Sequence, residues 1–143
     1  MTIAIALQVH DGVVLASDSA LTLNDPTKTG SASILNVYNN GNKIFNLLKG
    51  FPIGAVFYGA GSIGKSSVPT LIKDLRRRFA GESPTTEKRW KINSKNYTIE
   101  DVARKAREFI FDEHFVPLNV TTAGAQFGLA VAGYSSGAQL RAG

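Results

Sequence analysis

The chain has 143 residues, which is enough for one domain with its own hydrophobic core and too few for two. Apolar residues make up 43% and charged residues 19% of the sequence, a composition that excludes a disordered or fibrous chain. The formal net charge is +5, but the basic group Arg76-Arg77-Arg78 suits the solvated C-terminal end of a helix, whose dipole favours cations, better than a nucleic-acid surface.

Cysteine content and hydropathy limit the compartments and partners that can be expected for this chain. The sequence contains no cysteine, which excludes a disulfide framework and a thiolate zinc site and fits a reducing compartment. The two histidines, His10 and His114, show no ligand spacing, so no metal is expected. No basic leader and no run of ~18 apolar residues is present. We therefore expect a single cytoplasmic domain over residues 1–143, without a cofactor and without nucleic acid or membrane as a partner.

The first predicted elements form a β-hairpin. Residues 2–8 are almost all apolar and predict a strand buried on both faces. Asp11-Gly12 is a strong turn pattern, and residues 13–16 predict the returning strand. Such a hairpin brings Asp18 back toward the strand end at which Thr2 lies.

The following segments alternate between loops, strands and helices. Residues 24–42 are rich in Asn, Thr, Ser and Gly and predict a long surface loop without regular structure. Further predicted elements are strands over 43–48 and 53–58, a helix from Ser66 or Ser67, a polar linker over 81–96 with Trp90 packed back on the domain, a helix opened by Thr98, and a strand over 127–134. The pattern indicates an α/β (α+β) protein.

Thr2 has a chemistry of its own if the initiator Met1 is removed. The residue would then carry a hydroxyl nucleophile and, on the same residue, an α-amine that can act as its base. With an unperturbed pKa near ~8, that amine can accept the hydroxyl proton at neutral pH.

Four segments in this order resemble the β subunits of the proteasome and their bacterial relatives. They are Thr2-Ile3-Ala4-Ile5, the run from Asp11 to Ser19 with its Ser17-Asp18-Ser19, Asn42-Lys43-Ile44-Phe45, and Ala132-Gly133-Tyr134. The resemblance implies an N-terminal nucleophile (Ntn) hydrolase, a four-layer αββα sandwich of antiparallel sheets. It also implies a peptide or protein substrate, assembly into a homo-oligomeric ring or stack, and an ATP-dependent unfoldase as a possible partner.

The resemblance assigns a role to each candidate residue. Thr2 matches the family's nucleophile, Asp18 its acidic partner and Lys43 its basic one. A lysine ammonium would stabilise the ionised hydroxyl, and a carboxylate would keep that lysine charged and oriented. The backbone N–H of Gly59, in the Gly-rich turn after a strand, would face the oxyanion.

Two departures keep a non-catalytic alternative open. The family places further Ser and Asp residues beyond the strand that ends this sequence, so the C-terminal part of the family fold is expected to be absent. Five strands and two helices also leave at least one apolar face of a two-sheet sandwich poorly covered, which indicates either a truncated chain or a partner at that face. The alternative function is therefore a non-catalytic ring or scaffold subunit.

A second alternative comes from a different motif. Gly59, Gly64, Lys65 and Ser66 satisfy the spacing G-x-x-x-x-G-K-[ST] between a predicted strand and a predicted helix, which is the context of a phosphate-binding P-loop. Pro69 weighs against it, because a helix starting near Lys65 would place this proline where its missing N–H and its ring are costly. A nucleotide-binding protein is thus the third hypothesis.

Overall fold

A computed structural model describes residues 3–24, 34–38, 41–82, 87–119 and 127–137. Within these ranges the fold is mixed α+β, with antiparallel sheets and two α-helices. The strands are β1 (Ala4–Val9), β2 (Gly12–Ser17), β3 (Leu21–Asn24), β4 (Ile34–Tyr38), β5 (Ile44–Asn46), β6 (Ile53–Gly59), β7 (Ser62–Ile63), β8 (Ser66–Ser67) and β9 (Phe127–Gly133). The helices are α1 (Val68–Ala80) and α2 (Ile99–Arg107), together with 3₁₀ turns over Lys88–Trp90 and Val116–Leu118 and a π-helical stretch over Glu108–Phe115 that continues α2.

The predicted N-terminal hairpin is confirmed, but its predicted burial is wrong. β1 pairs antiparallel with β2 from Ala4 opposite Ser17 to Val9 opposite Gly12. On the inner face, a Leu15 methyl lies against Gly54 of β6. The outer face is half-exposed, with Ile5 at 51% and Leu7 at 53%. A strand is buried on both faces only if elements cover both, and in the described part of the chain even the inner face of β1 is largely open, with Ala6 and Gln8 exposed.

The predicted loop over residues 24–42 is partly wrong as well. It contains β4, which pairs antiparallel with β3, with a register shift at Leu23 and Asn24. The β4 sequence, Ile-Leu-Asn-Val-Tyr, has the β-branched and aromatic residues that strands favour, and the surrounding polar residues obscured it. Residues 25–33 and 39–40 lie outside the described part of the chain.

The central sheet has the order β5-β6-β9 and is antiparallel throughout. It confirms the predicted strand pair over 43–48 and 53–58 and the strand near 127–134. Ile53, Ala55 and Phe57 alternate along β6 and face the main core, in which α1 and α2 bury their apolar stripes. The hairpin therefore packs on one face of this sheet and the helices pack on the other.

Gly133 explains part of the Ala132-Gly133-Tyr134 motif in physical terms. A Cβ at Gly133 would lie 2.0 Å from the carbonyl oxygen of Pro52, a separation that no side chain tolerates. The following N–H, that of Tyr134, donates to the same oxygen at 3.1 Å. The motif lets β9 leave the sheet in close contact with the turn before β6.

Both predicted helices are confirmed with the expected caps. α1 begins at Val68, with the Ser67 side chain accepting from the Thr70 N–H, and Pro69 lies in the first turn, where its missing N–H costs nothing. In α2 the Thr98 side chain accepts from the Asp101 N–H, as the capping pattern predicts. None of the helices in the described ranges is long and apolar enough to cross a membrane.

Trp90 packs back on the domain, as predicted, and its ring contacts Arg78 of the arginine triplet. Its side chain is 2% exposed. The Arg78 guanidinium lies over the rings of Trp90 and Phe109, at 4.9 and 4.5 Å, and pairs with Glu113 at 2.9 Å. The end of α1 thus holds the linker through cation–π contacts.

The helix–sheet core gives a first prediction. Phe79 of α1 is fully buried, and Phe79→Ala should lower the free energy of unfolding by about 3–5 kcal/mol, because it removes apolar burial and leaves a cavity. Urea denaturation followed by circular dichroism measures this change. Val116→Ala, at a side chain that is 54% exposed, is the control and should change it by less than about 0.5 kcal/mol. Similar losses in both variants would contradict the assigned core.

Candidate active site

Asp18 extends the hairpin by one residue pair and binds the start of β1. The Asp18 N–H donates to the Ile3 carbonyl at 3.1 Å, and the Ile3 N–H donates to Asp18 Oδ1 at 2.9 Å. This reciprocal pair continues the register in which Ala4 faces Ser17. The carboxylate is therefore fixed at the strand end, beside the backbone of residue 3.

Lys43 brings a buried positive charge to the same carboxylate. Its side chain is 1% exposed, whereas that of Asp18 is 25% exposed. The Lys43 Nζ donates to Oδ1 and Oδ2 of Asp18, both at 3.1 Å. The Lys43 carbonyl accepts from the Phe57 N–H at 3.0 Å, so β6 holds the backbone of Lys43 just before β5 begins. A lysine so far from water requires such a partner.

The same contacts set the ionisation of Asp18. The Ile3 N–H, first, and the Lys43 ammonium, second, hold the pKa of the Asp18 carboxyl below its usual value, because both favour the charged form. The Asp18 carboxyl is therefore ionised throughout the neutral range. The centre can present a fixed ammonium to an oxygen that acquires negative charge nearby.

Gly59 is the last residue of β6 and lies at the same end of the sheet as Lys43. It follows Phe57, the residue that bonds to Lys43, by two positions, and it adopts φ 95°. This left-handed conformation is easily adopted only by glycine. The turn after β6 therefore begins at a residue whose backbone conformation favours glycine.

Thr2 lies outside the described residues, as does Met1. The described structure brings together Asp18 and Lys43, which are 25 positions apart in sequence, and places Gly59 near the end of the sheet that carries Lys43. Sequence reasoning missed the Ile3 amide as a ligand of Asp18. The hairpin register could have revealed it, because continuing the pairing by one step from Ala4 and Ser17 puts Ile3 opposite Asp18.

The residues of the possible P-loop adopt a different structure from the one that motif requires. Ser62–Ile63 pairs antiparallel with Ser66–Ser67, so Gly64 and Lys65 form the tip of a short hairpin. The helix begins only at Val68, and its cap is Ser67. A P-loop wraps its backbone N–H groups around phosphate at the helix start, whereas here a strand pair occupies the segment between Gly61 and the helix.

Comparison of the chain with protein-family models, curated proteins and solved structures finds no match. Within the described ranges no group of three or more His, Asp or Glu residues is arranged to hold a metal ion. His114 donates to the Phe109 carbonyl through Nδ1, at 2.7 Å, which holds its ring against the π-helical stretch. The function must therefore be inferred from the Asp18–Lys43 centre and the sequence around it.

The lowered pKa of Asp18 gives a second prediction. A carboxyl whose folded pKa lies below its unfolded value of about 3.9 stabilises the fold above that value, and the contribution is lost as pH falls through the folded pKa. Urea midpoints measured from pH 6 to pH 2.5 should fall at the acid end. Asp18→Asn should fall less steeply there, because the group that titrates is gone. Parallel curves for both proteins would show that Asp18 contributes nothing to the acid sensitivity.

Proposed function

We propose that the chain is a threonine-type peptidase or amide hydrolase of the Ntn type, with Thr2 as the nucleophile once Met1 is removed. The observation that supports it is the buried Lys43 ammonium on Asp18, whose carboxylate also binds the Ile3 N–H. Ile3 is joined to Thr2 by a single peptide bond. An ion pair of this kind needs a reason to be buried, and a nucleophile at the adjacent residue supplies one.

The fold supports the proposal at the level of layers. A hairpin sheet, a second antiparallel sheet and a layer of helices follow one another, in the order β-β-α. The four-layer αββα sandwich of an Ntn hydrolase would add a cover on the outer face of the hairpin. The active centre of the proposal lies where the hairpin strand end and the start of β5 meet.

The proposed chemistry needs only groups of this chain. The Thr2 α-amine takes the hydroxyl proton while Oγ attacks the carbonyl carbon of the scissile amide, which forms a tetrahedral oxyanion. Lys43 lowers the pKa of the hydroxyl, Asp18 keeps Lys43 oriented, and the Gly59 N–H stabilises the oxyanion. The C–N bond then breaks, the leaving amine takes the proton, and the acyl group remains as an ester on Oγ. Water, deprotonated by the same amine, hydrolyses that ester and restores the hydroxyl.

Intact-mass spectrometry tests the proposal directly. The purified protein is incubated with a peptide epoxyketone, an electrophile that reacts with both the hydroxyl and the α-amine of an N-terminal threonine. We expect loss of Met1 and a single adduct, which fragmentation maps to Thr2. Retention of Met1, or a free Thr2 that stays unmodified, would refute the hydrolase. The non-catalytic ring or scaffold subunit would then remain, an alternative that the exposed outer face of the hairpin favours.

Partners and location follow from the same proposal. A peptide or protein chain is the substrate, the protein works in the cytoplasm as a homo-oligomer, and an ATP-dependent unfoldase is a candidate partner. A nucleotide-binding role for Gly59, Gly64, Lys65 and Ser66 gains no support from the hairpin they form. Calorimetry with ATP and magnesium tests that role. We expect the unchanged protein and Lys65→Ala to give the same result, with no heat of nucleotide binding.

A further inference from the structure

A groove of about 740 Å³ lies at the C-terminal end of α1, between that helix, the turn that joins β5 to β6 and the linker that follows α1. Its apolar floor combines the partly exposed Phe51 and Ala80 with the buried side chains of Leu48, Phe79 and Ile92. The Ile92 N–H donates to the Phe79 carbonyl at 3.0 Å, which fixes the linker against the end of the helix. This α1-end groove has the volume of a ligand-binding pocket and rests on the main core.

The α1-end groove is separate from the Asp18–Lys43 centre. Lys43 lies just before the first residue of β5, whereas Leu48, which lines the groove, lies two residues after the last residue of that strand. The two places are therefore at opposite ends of β5. A molecule in the groove would leave the candidate active site open.

Two exposed lysines give one side of the groove a positive charge. Lys88 and Lys91 both line it and are neighbours in a 3₁₀ turn, in which the Lys91 N–H donates to the Lys88 carbonyl at 3.3 Å. The nearby arginines Arg78 and Arg89 each pair with a carboxylate. In the described ranges neither lysine has an ion-pair partner, and no Asp or Glu lines the groove. The positive charge beside the apolar floor is therefore uncompensated.

We propose that the α1-end groove binds an acidic segment of a partner protein. Carboxylates of that segment pair with Lys88 and Lys91, and a neighbouring apolar side chain packs on Phe51 and Ala80. Complementary charge guides the approach of such a partner and selects against basic ones. The stems of the two lysines add apolar contact while their ammonium groups stay in water.

The remaining lining residues suit a peptide chain. Asn93 and Ser94 also line the groove, and an amide and a hydroxyl can both bond to a peptide backbone. The Oδ1 of Asn93 accepts the Lys95 N–H at 2.9 Å, so its NH₂ group is left to donate to a peptide carbonyl. Phosphate contacts of a nucleic acid would use the lysines and leave the apolar floor uncovered.

Fluorescence polarisation of the whole chain with labelled ten-residue peptides tests the proposal. The probe peptide carries glutamates around two leucines. One control peptide has lysines in place of the glutamates, and a second has serines in place of the leucines. We expect a dissociation constant in the micromolar range for the probe and at least about tenfold weaker binding of each control peptide, because the groove contacts both parts. Raising NaCl from about 50 to about 500 mM should weaken probe binding at least about fivefold, since salt screens exposed charges.

A pair of double variants locates the binding. Lys88→Glu with Lys91→Glu should raise the dissociation constant of the probe at least about 30-fold, because like charges would then face its carboxylates. Lys65→Glu with Lys73→Glu is the matched control, since it changes the net charge equally at two exposed lysines outside the groove. It should raise the constant by less than about threefold. Equal losses in the two double variants would overturn the proposal, as would binding that both leave unchanged.

A further variant covers the case in which the Lys88 and Lys91 variant folds poorly by circular dichroism. Ala80→Glu places a carboxylate in the groove at the last residue of α1 and keeps both lysines, so it should weaken probe binding at least about fivefold. An unchanged protein that does not bind the probe would overturn the proposal. So would a ten-nucleotide single-stranded DNA that binds as tightly, because it would indicate a nucleic-acid surface. The inference does not rest on catalysis, since Thr2→Ala should bind the probe as the unchanged protein does.

Discussion

Thr2→Ala should abolish amide hydrolysis, with kcat falling by at least about 10³-fold, because the hydroxyl that forms the acyl-enzyme is gone. Thr2→Ser retains a hydroxyl and an α-amine on one residue and should keep measurable activity. Turnover of a fluorogenic peptide series at pH 7.5 measures both. The same two variants should differ in the epoxyketone experiment, since only the serine variant can form the adduct.

The control for this result separates chemistry from folding. Circular dichroism and the urea midpoint should be the same for the unchanged protein, Thr2→Ala and Thr2→Ser. Hydrolysis by Thr2→Ala at the level of the unchanged protein would refute Thr2 as the nucleophile. An unchanged protein that hydrolyses none of the peptides and binds no epoxyketone would favour the scaffold alternative.

Lys43→Met should lower kcat by about 10²–10³-fold, the usual effect of removing one preorganised group that stabilises developing charge. Methionine has a similar length and no charge, so the site stays filled while the ammonium is lost. Lys43→Arg should not restore activity, because a planar guanidinium cannot replace a compact ammonium in a site that is 1% exposed. The pH profile of kcat is the readout that a purely structural role of Lys43 would not move.

Lys65 provides the matched control for Lys43. It is an exposed lysine at the tip of the β7–β8 hairpin, and Lys65→Met removes the same charge from the same chain. This variant should hydrolyse peptides as the unchanged protein does. Equal losses in Lys43→Met and Lys65→Met would indicate an effect of net charge and would contradict a specific role of Lys43.

Local sequence patterns predicted the elements whose causes are local. The Asp11-Gly12 turn between apolar runs predicted the β1–β2 hairpin, and the cap residues Ser67 and Thr98 predicted the starts of α1 and α2 to within two residues. A turn, a cap or an apolar stripe depends on residues within a few positions of each other, so a single sequence contains the information. The β3–β4 pair was missed because strand formation depends on the partner strand more than on the residue types of one short segment.

The sequence by itself determined a mixed α+β chain with a hairpin that carries Asp18 at its end and a Lys-Ile-Phe segment before a second strand pair. Only the tertiary structure decided that the Lys43 side chain is buried and that Asp18 and the Ile3 amide meet at its charged end. It also decided that β1 is largely exposed although most of its residues are as apolar as those of a core strand. Burial and ion pairing depend on which elements cover a residue, and that is set by packing between distant segments rather than by the residue's neighbours in sequence.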